Sequence, residues 1–188
     1  RGTDNTYQGT NMNGQDYVAW AWKASNDSTI NQDGSITSIV SANPAAGFSV
    51  VKWTTIAAAS WNVGHGLDTA PEMIISKMTS FSNSWEVYHK DVGTGKYLLL
   101  STAAAAGTDS GAFSSVTDTT WTSYTTNTTG NYIAYCFTSI PGYSKLGSYT
   151  GTGGNQTIYV GFEPRFVLIK RATGGSLNGW VLSDSKRG

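Results

Sequence analysis

Two histidines, three glutamates and one cysteine are the residues of this chain best suited to chemistry. His65 lies in Val63-Gly64-His65-Gly66-Leu67, and the corresponding later stretch, Tyr159-Val160-Gly161-Phe162, has no histidine. Flanking glycines mark a turn, so a turn histidine is expected there rather than a ligand. His89 follows Trp85-Glu86-Val87-Tyr88, with Asp91 two residues on. An extended strand would place His89 and Asp91 on one face, where they are candidates for a metal or an acid–base pair. Two ligands fall short of the three or four protein ligands of a zinc-type centre, so no metal site and no cofactor is expected. Cys136 alternates within Tyr132-Ile133-Ala134-Tyr135-Cys136-Phe137 and has no partner cysteine, so it reads as a buried, inert thiol.

The known catalytic spacings are absent. Gly142-Tyr143-Ser144-Lys145-Leu146-Gly147 lacks the second glycine at the position a nucleophile elbow needs. Gly93-Thr94-Gly95-Lys96 ends like a phosphate loop, but Lys90 stands where the first glycine belongs and Tyr97 replaces Ser or Thr. Thr29 and Val40 replace the first and last acids of a calcium loop around Asp33-Gly34, which leaves a hairpin. Glycoside hydrolysis needs two placed carboxylates. Glu72 and Glu163 flank repeated prolines and read as exposed turn residues; Glu86, beside Trp85, is the best carboxylate for sugar chemistry. Its counterpart after Trp180 is Val181, and no enzyme is expected.

Sugar binding fits the side chains better, because flat rings stack on the apolar face of a sugar while amides and carboxylates take its hydroxyls. Trp61, Trp121, Trp85 and Asn83 are the candidate ligand-binding residues, with Trp180 and Asn178 alongside. Trp85 and Trp180 recur in register, which also suits a core role. Trp61 and Trp121 do not recur, stand in polar surroundings that read as loops, and are expected to make the exposed contacts.

The elements that must position these residues are strands. Helical periodicity is nearly absent; Thr102-Ala103-Ala104-Ala105-Ala106 is stopped at once by Gly107 and allows one turn at most. Strands are expected at Tyr17 to Lys23, Phe48 to Thr55, Met73 to Met78, Ser84 to His89, Lys96 to Leu100, Ile133 to Ser139, Tyr143 to Thr150, Phe166 to Arg171 and Trp180 to Ser183. Asp33-Gly34 marks a hairpin between Ser28-Thr29-Ile30 and Ser35 to Val40. The fold class is all-β: an antiparallel β-sandwich or a related β-rich architecture, with an internal repeat and almost no helix.

The repeat is visible in motifs. Gly47-Phe48-Ser49 returns as Gly142-Tyr143-Ser144, Pro71 to Lys77 returns as Pro164 to Lys170, and Trp85 returns as Trp180. Tyr17-Val18-Ala19-Trp20 returns as Tyr132-Ile133-Ala134-Tyr135, and Arg1-Gly2 matches Arg187-Gly188. The matched positions are strand and turn types, not acids, bases or nucleophiles, which favours a structural or binding module. Residues 1–46 read as the end of a repeat unit plus a hairpin, 47–139 as one complete unit, and 140–188 as the start of a second, completed by 1–24 from the same chain or a neighbour. The stretch Thr6 to Asp16 is short by about 24 residues against the later copy.

Composition sets the limits. With zero formal net charge and 13% charged residues there is no basic face, so nucleic acid is not an expected partner. No apolar run approaches the roughly 20 residues of a membrane-spanning helix, and no membrane insertion is expected. Seven Trp and ten Tyr argue against disorder despite the Ser, Thr, Asn and Gly content.

The ordered string Tyr17 to Ala24, Asp33 to Ser38, Ala42 to Ser49, Val63 to Leu67, Ala70 to Ile75, Trp85 to His89, Lys96 to Leu100, Tyr132 to Phe137 and Gly147 to Gly151 resembles a repeat domain of uncharacterised marine bacteriophage tail and fibre proteins. In that family the domain often follows a lectin-like β-sandwich domain. Thr6 to Asp16 departs from the pattern. The resemblance implies a virion structural protein in a tail fibre, tail tip or capsid decoration, located in the virion or outside the cell. Its partners would be other virion subunits or copies of itself, and a host-surface glycan. A secreted carbohydrate-binding module and a subunit of an extracellular filament are the alternatives.

Overall fold

The computed structural model describes residues 13–14, 19–125, 129–174 and 179–186. Tyr17, Val18, Asn178, the Thr6 to Asp16 stretch apart from Asn13 and Gly14, and the Arg-Gly pairs at the two ends, all named above, lie outside them.

Among the described residues, twelve strands make up nearly all the regular structure: β1 (Thr29–Asn31), β2 (Ser38–Asn43), β3 (Phe48–Thr55), β4 (Ala59–Gly64), β5 (Met73–Met78), β6 (Trp85–His89), β7 (Lys96–Leu99), β8 (Gly107–Thr108), β9 (Thr120–Thr125), β10 (Gly130–Phe137), β11 (Phe166–Ile169) and β12 (Val181–Asp184). A single turn of 3-10 helix, Pro44–Ala46, is capped by the Asn43 side chain and ended by left-handed Gly47. The main sheet has the order β1-β2-β3-β10-β5-β6-β7-β8, and its strands pair antiparallel. Two smaller antiparallel pairs accompany it, β4–β9 and β11–β12. The architecture is all-β.

Period-two alternation explains which side chains enter the core. On β3, Val51 and Trp53 are buried while Lys52 and Thr54 are exposed; on β10, Tyr132, Ala134 and Cys136 are buried. The β4–β9 pair lies over this face, bringing Val63 and Trp121 against Trp53, Ile74, Met78 and Tyr132 in one apolar cluster. Trp53 stacks on Tyr132 (centroids 5.1 Å apart, 13° between planes) and meets Trp121 edge to face (5.3 Å, 84°). Such aromatic pairs add about 0.5–1.5 kcal/mol each beyond the area they bury. Cys136 is wholly buried in this core, and burial pushes its thiol up to about 12.

Several expected boundaries move. Residues 19–23 are not in a strand, and Tyr143 to Thr150 forms only an isolated bridge between Ser144 and Ile140. Glycine and serine around Leu146 leave that stretch no continuous apolar face to bury. The Asp33-Gly34 hairpin is wider than a two-residue turn, since Asn31 pairs with Ser38. The loop instead leans on β4: Ser35 Oγ accepts from Asn62 N (2.8 Å), and a Cβ on Gly34 would sit 2.0 Å from the Asn62 carbonyl oxygen. Only glycine allows that approach.

Two strands carry residues read as loop. Trp61 lies on β4 and Trp121 on β9, and the strands pair with Trp61 opposite Ser123 and Val63 opposite Trp121. Asn, Ser and Thr dilute the apolar alternation of both strands, which hides them in the sequence.

Candidate functional site

A cleft of about 360 Å³ opens where β5, β6 and β7 meet the end of β9 and the loop before it. Ser76 of β5, Asn83 and Ser84 before β6, Glu86 of β6 and Tyr97 of β7 line it. Asp109, Phe113, Ser123 and Tyr124 line it as well, with Met78 and Tyr132. Hydroxyls, an amide and two carboxylates thus share a hollow with three tyrosines, the mixture suited to a polyhydroxylated ligand.

Local chemistry holds each wall. The Tyr97 ring covers Gly107, where a Cβ would come within 2.6 Å of it. Asp109 shapes its loop by accepting from Gly111 N (2.9 Å), and Ala112 N returns to the Asp109 carbonyl (2.9 Å). Phe113 has φ 47°, the left-handed region, where a bulky side chain costs about 1–2 kcal/mol. Among the described residues no other non-glycine residue does so. Its buried ring, 5.6 Å from that of Tyr88, keeps it in place. Strain of this kind, held by surrounding packing, gathers at binding sites.

Electrostatics single out Glu86. Burial raises its carboxyl above the usual range, and the nearby negative charge of Asp109 raises it further. No lysine or arginine lines the cleft. A ligand that donates hydrogen bonds to Glu86 replaces the water the side chain has lost, whereas an acidic ligand would meet two carboxylates.

Of the four residues expected to bind ligand, Asn83 lines this cleft. Trp85 does not: it alternates with Glu86 along β6, so its ring turns to the opposite face and stacks on Tyr135 (6.3 Å, 20°). Trp61 is half-buried against the core and donates from Nε1 to the Ala57 carbonyl (3.4 Å). Trp121 is the largest correction. Expected as an exposed contact in a polar loop, it is 0% exposed, packed between Trp53 and His65. The indole N–H groups of Trp53 and Trp121 find no acceptor among the described residues. Tyr97 and Tyr124 supply the rings in their place. Tyr124 is 48% exposed and stands three residues from the buried Trp121, so the two rings leave β9 on opposite faces.

The histidines and remaining glutamates hold structure together. His65 is fully buried; its Nδ1 accepts from Leu67 N (3.1 Å), so Nε2 carries the proton and donates to the Thr117 carbonyl (3.2 Å). Burial lowers its pKa, and the hydrogen bond to Thr117 offsets only part of that. β6 ends at His89, so His89 and Asp91 do not share a strand face as expected. Asp91 sits in the following turn, its backbone N–H donates to His89 Nδ1 (3.2 Å), and its carboxylate faces Lys90 Nζ (3.3 Å). Among the described residues, no group of three or more His, Cys, Asp and Glu side chains could hold a metal ion. Glu72 is not simply exposed at its turn: Oε2 accepts from the backbone N–H (3.1 Å) and hydroxyl of Ser139, tying β5 to the end of β10. Glu163 is exposed and faces Arg165 (3.6 Å).

The β11–β12 hairpin repeats β5–β6. Met73 pairs with His89, Ile74 with Tyr88, Ile75 with Val87 and Ser76 with Glu86. The motif-equivalent residues Phe166 and Asp184, Val167 and Ser183, Leu168 and Leu182, Ile169 and Val181 pair in the same way. Ile169 and Val181 therefore stand where the cleft has Ser76 and Glu86, and the second hairpin carries none of its polar groups.

No curated protein and no solved structure matches the chain. Residues 2–188 match one family across almost the whole sequence, and the chain belongs to it: the Domain of unknown function (DUF7483) family.

Proposed function

We propose that this chain is a non-enzymatic, β-rich module of a virion or extracellular surface assembly, in the manner of a tail fibre, tail tip or capsid decoration, and that its cleft holds carbohydrate. The observation that carries the binding reading is the cleft itself. Tyr97 and Tyr124 offer ring faces, Asn83, Ser84 and Ser123 offer amide and hydroxyl groups, and Glu86 and Asp109 offer acceptors. The resemblance to phage tail and fibre domains and the weakly charged surface support the assembly reading, with other virion subunits or further copies as partners. A secreted carbohydrate-binding module would use the same cleft.

A glycan array tests the binding. Selective binding is expected, ranked with neutral and amino sugars above sialylated, sulfated or uronic ones because two carboxylates and no cation line the cleft. Tyr124→Ala should weaken it at least about fivefold, since a lost ring–ligand contact is worth about 1–3 kcal/mol. Absence of binding to any glycan, or binding untouched by Tyr124→Ala and Glu86→Gln together, would sink the carbohydrate reading. Release of new reducing ends from a bound glycan would overturn the non-enzymatic part. Light scattering over a wide concentration range separates the assembly module from a free-standing binding module.

A further inference from the structure

Among the described residues no strand pairs with β11 on the edge away from β12, and the chain holds a segment shaped for that edge. In the first copy the edge of β5 away from β6 is taken by β10, with Phe137 opposite Met73, Cys136 opposite Ile74, Tyr135 opposite Ile75 and Ala134 opposite Ser76. The β10 motif recurs near the beginning of the chain, where Trp22 takes the place of Phe137, Ala21 of Cys136, Trp20 of Tyr135 and Ala19 of Ala134. On the β5 side, Phe166 takes the place of Met73. Carrying the register across puts Trp22 opposite Phe166.

The rings are already there. Trp22 meets Phe166 edge to face (6.0 Å, 84°), and so does Trp20 (5.5 Å, 62°). Trp22 also packs on Phe137 (5.8 Å) and Phe48 (6.4 Å), which join the segment to the main sheet. The residues just after it are tied down: the Lys23 carbonyl accepts from Asn43 Nδ2 (3.2 Å) and the Ser25 carbonyl from Ser41 Oγ (2.9 Å). The faces agree as well. Phe166 and Leu168 are half-buried, on the side of the two tryptophans, while Val167 and Ile169 are exposed, on the side that Ala19 and Ala21 would share.

In the structure Ala19–Trp22 rests its rings on Phe166 without strand pairing to β11; we infer that it docks as the third strand of the second hairpin, pairing antiparallel with β11 of the same chain, Trp22 opposite Phe166, Ala21 opposite Val167, Trp20 opposite Leu168 and Ala19 opposite Ile169. The segment closes the edge of β11, which otherwise presents unpaired backbone groups to any passing strand.

Directly opposed residues in an antiparallel pair have Cα atoms about 4.5–5.5 Å apart, within disulfide range. The full-length variant Ala21→Cys/Val167→Cys is therefore expected to cross-link within one chain under mild oxidation, about tenfold faster than Ala21→Cys/Leu168→Cys, whose side chains face opposite sides. Buried Cys136 stays out of the reaction. Equal rates for the two variants, or cross-links found only between chains as covalent dimers, would overturn the proposal; the second result would assign the edge to a neighbouring copy. Amide exchange on the wild-type chain gives an independent readout. The β11 amides that point away from β12 should exchange at least about tenfold slower than unpaired ones and lose that protection in Trp22→Ala. Exchange at the unprotected rate in the wild type would overturn it.

Discussion

Hairpins β5–β6 and β11–β12 share a register and a motif, yet Ile74 is 0% exposed and its equivalent Val167 is 36% exposed. Side-chain type does not explain the gap, since both are β-branched and apolar. The surroundings do. The first hairpin has β10 on one edge, β7 on the other and the β4–β9 pair over its inner face; β11–β12 is a two-stranded sheet. Two strands alone bury too little to be independently stable, and the second hairpin leans on the main body through the Trp180 Nε1 donation to the Leu99 carbonyl (2.9 Å) and the Lys170 Nζ donation to the Ala103 carbonyl (3.0 Å). A repeated motif therefore fixes pairing but not environment. The cleft exists only where a second layer stands over the hairpin.

The largest expected break in this comparison comes from truncating equivalent residues. Ile74→Ala leaves a cavity in a closed core and should cost about 2–5 kcal/mol in urea unfolding. Val167→Ala, at the same register position, should cost under about 1 kcal/mol. Equal losses would show that the second hairpin is as enclosed as the first.

Acid should divide the two regions next. His65 and His89 both belong to the closed unit, and burial is the main cause that lowers each pKa. Unfolded histidine titrates near 6.5. Above that pH both states are neutral and the contribution is complete. As pH falls below it, the unfolded chain takes up protons before the folded one, and stability drops until the folded pKa is passed. The unfolding midpoint of the whole domain is expected to be flat from pH 8 to 6.5 and to fall below. Local opening of β11–β12, which has no histidine, followed by amide exchange and corrected for intrinsic rates, should not follow it.

How much of this was legible in the sequence depended on how undiluted each apolar pattern was. Phe48 to Thr55 reads as a strand and Met73 to Met78 is a mostly apolar run after Pro71, and β3 and β5 occupy those residues. β4 and β9 each set a tryptophan among Ala, Ser, Thr and Asn, so the local pattern reads as polar loop although Trp121 is buried by Trp53, far away in sequence. The cleft was missed for a related reason. Its tyrosines come from β7, β9 and β10, which are distant in sequence and meet only through the fold, while Trp85 and Glu86, neighbours in sequence, part to opposite faces.

Two smaller effects sharpen the contrast. Trp180→Phe removes one hydrogen bond to Leu99 and should cost about 1 kcal/mol, read as faster amide exchange confined to β11–β12. Smallest of all, placing the cleft residues on the open hairpin, Ile169→Ser with Val181→Glu, should change global stability by less than about 0.5 kcal/mol, since both positions are exposed. The reverse exchange, Ser76→Ile with Glu86→Val, should abolish glycan binding on the array while the fold survives.

Cys136 gives the chain a built-in clock. Its thiol is sealed behind β3, β5 and the aromatic cluster, and at a pKa of about 12 almost none of it is thiolate at neutral pH. A thiol reagent can label only molecules in which the central strand pairs have parted. The labelling rate therefore counts openings of the middle of the sheet one molecule at a time, and is blind to fraying of the β11–β12 hairpin.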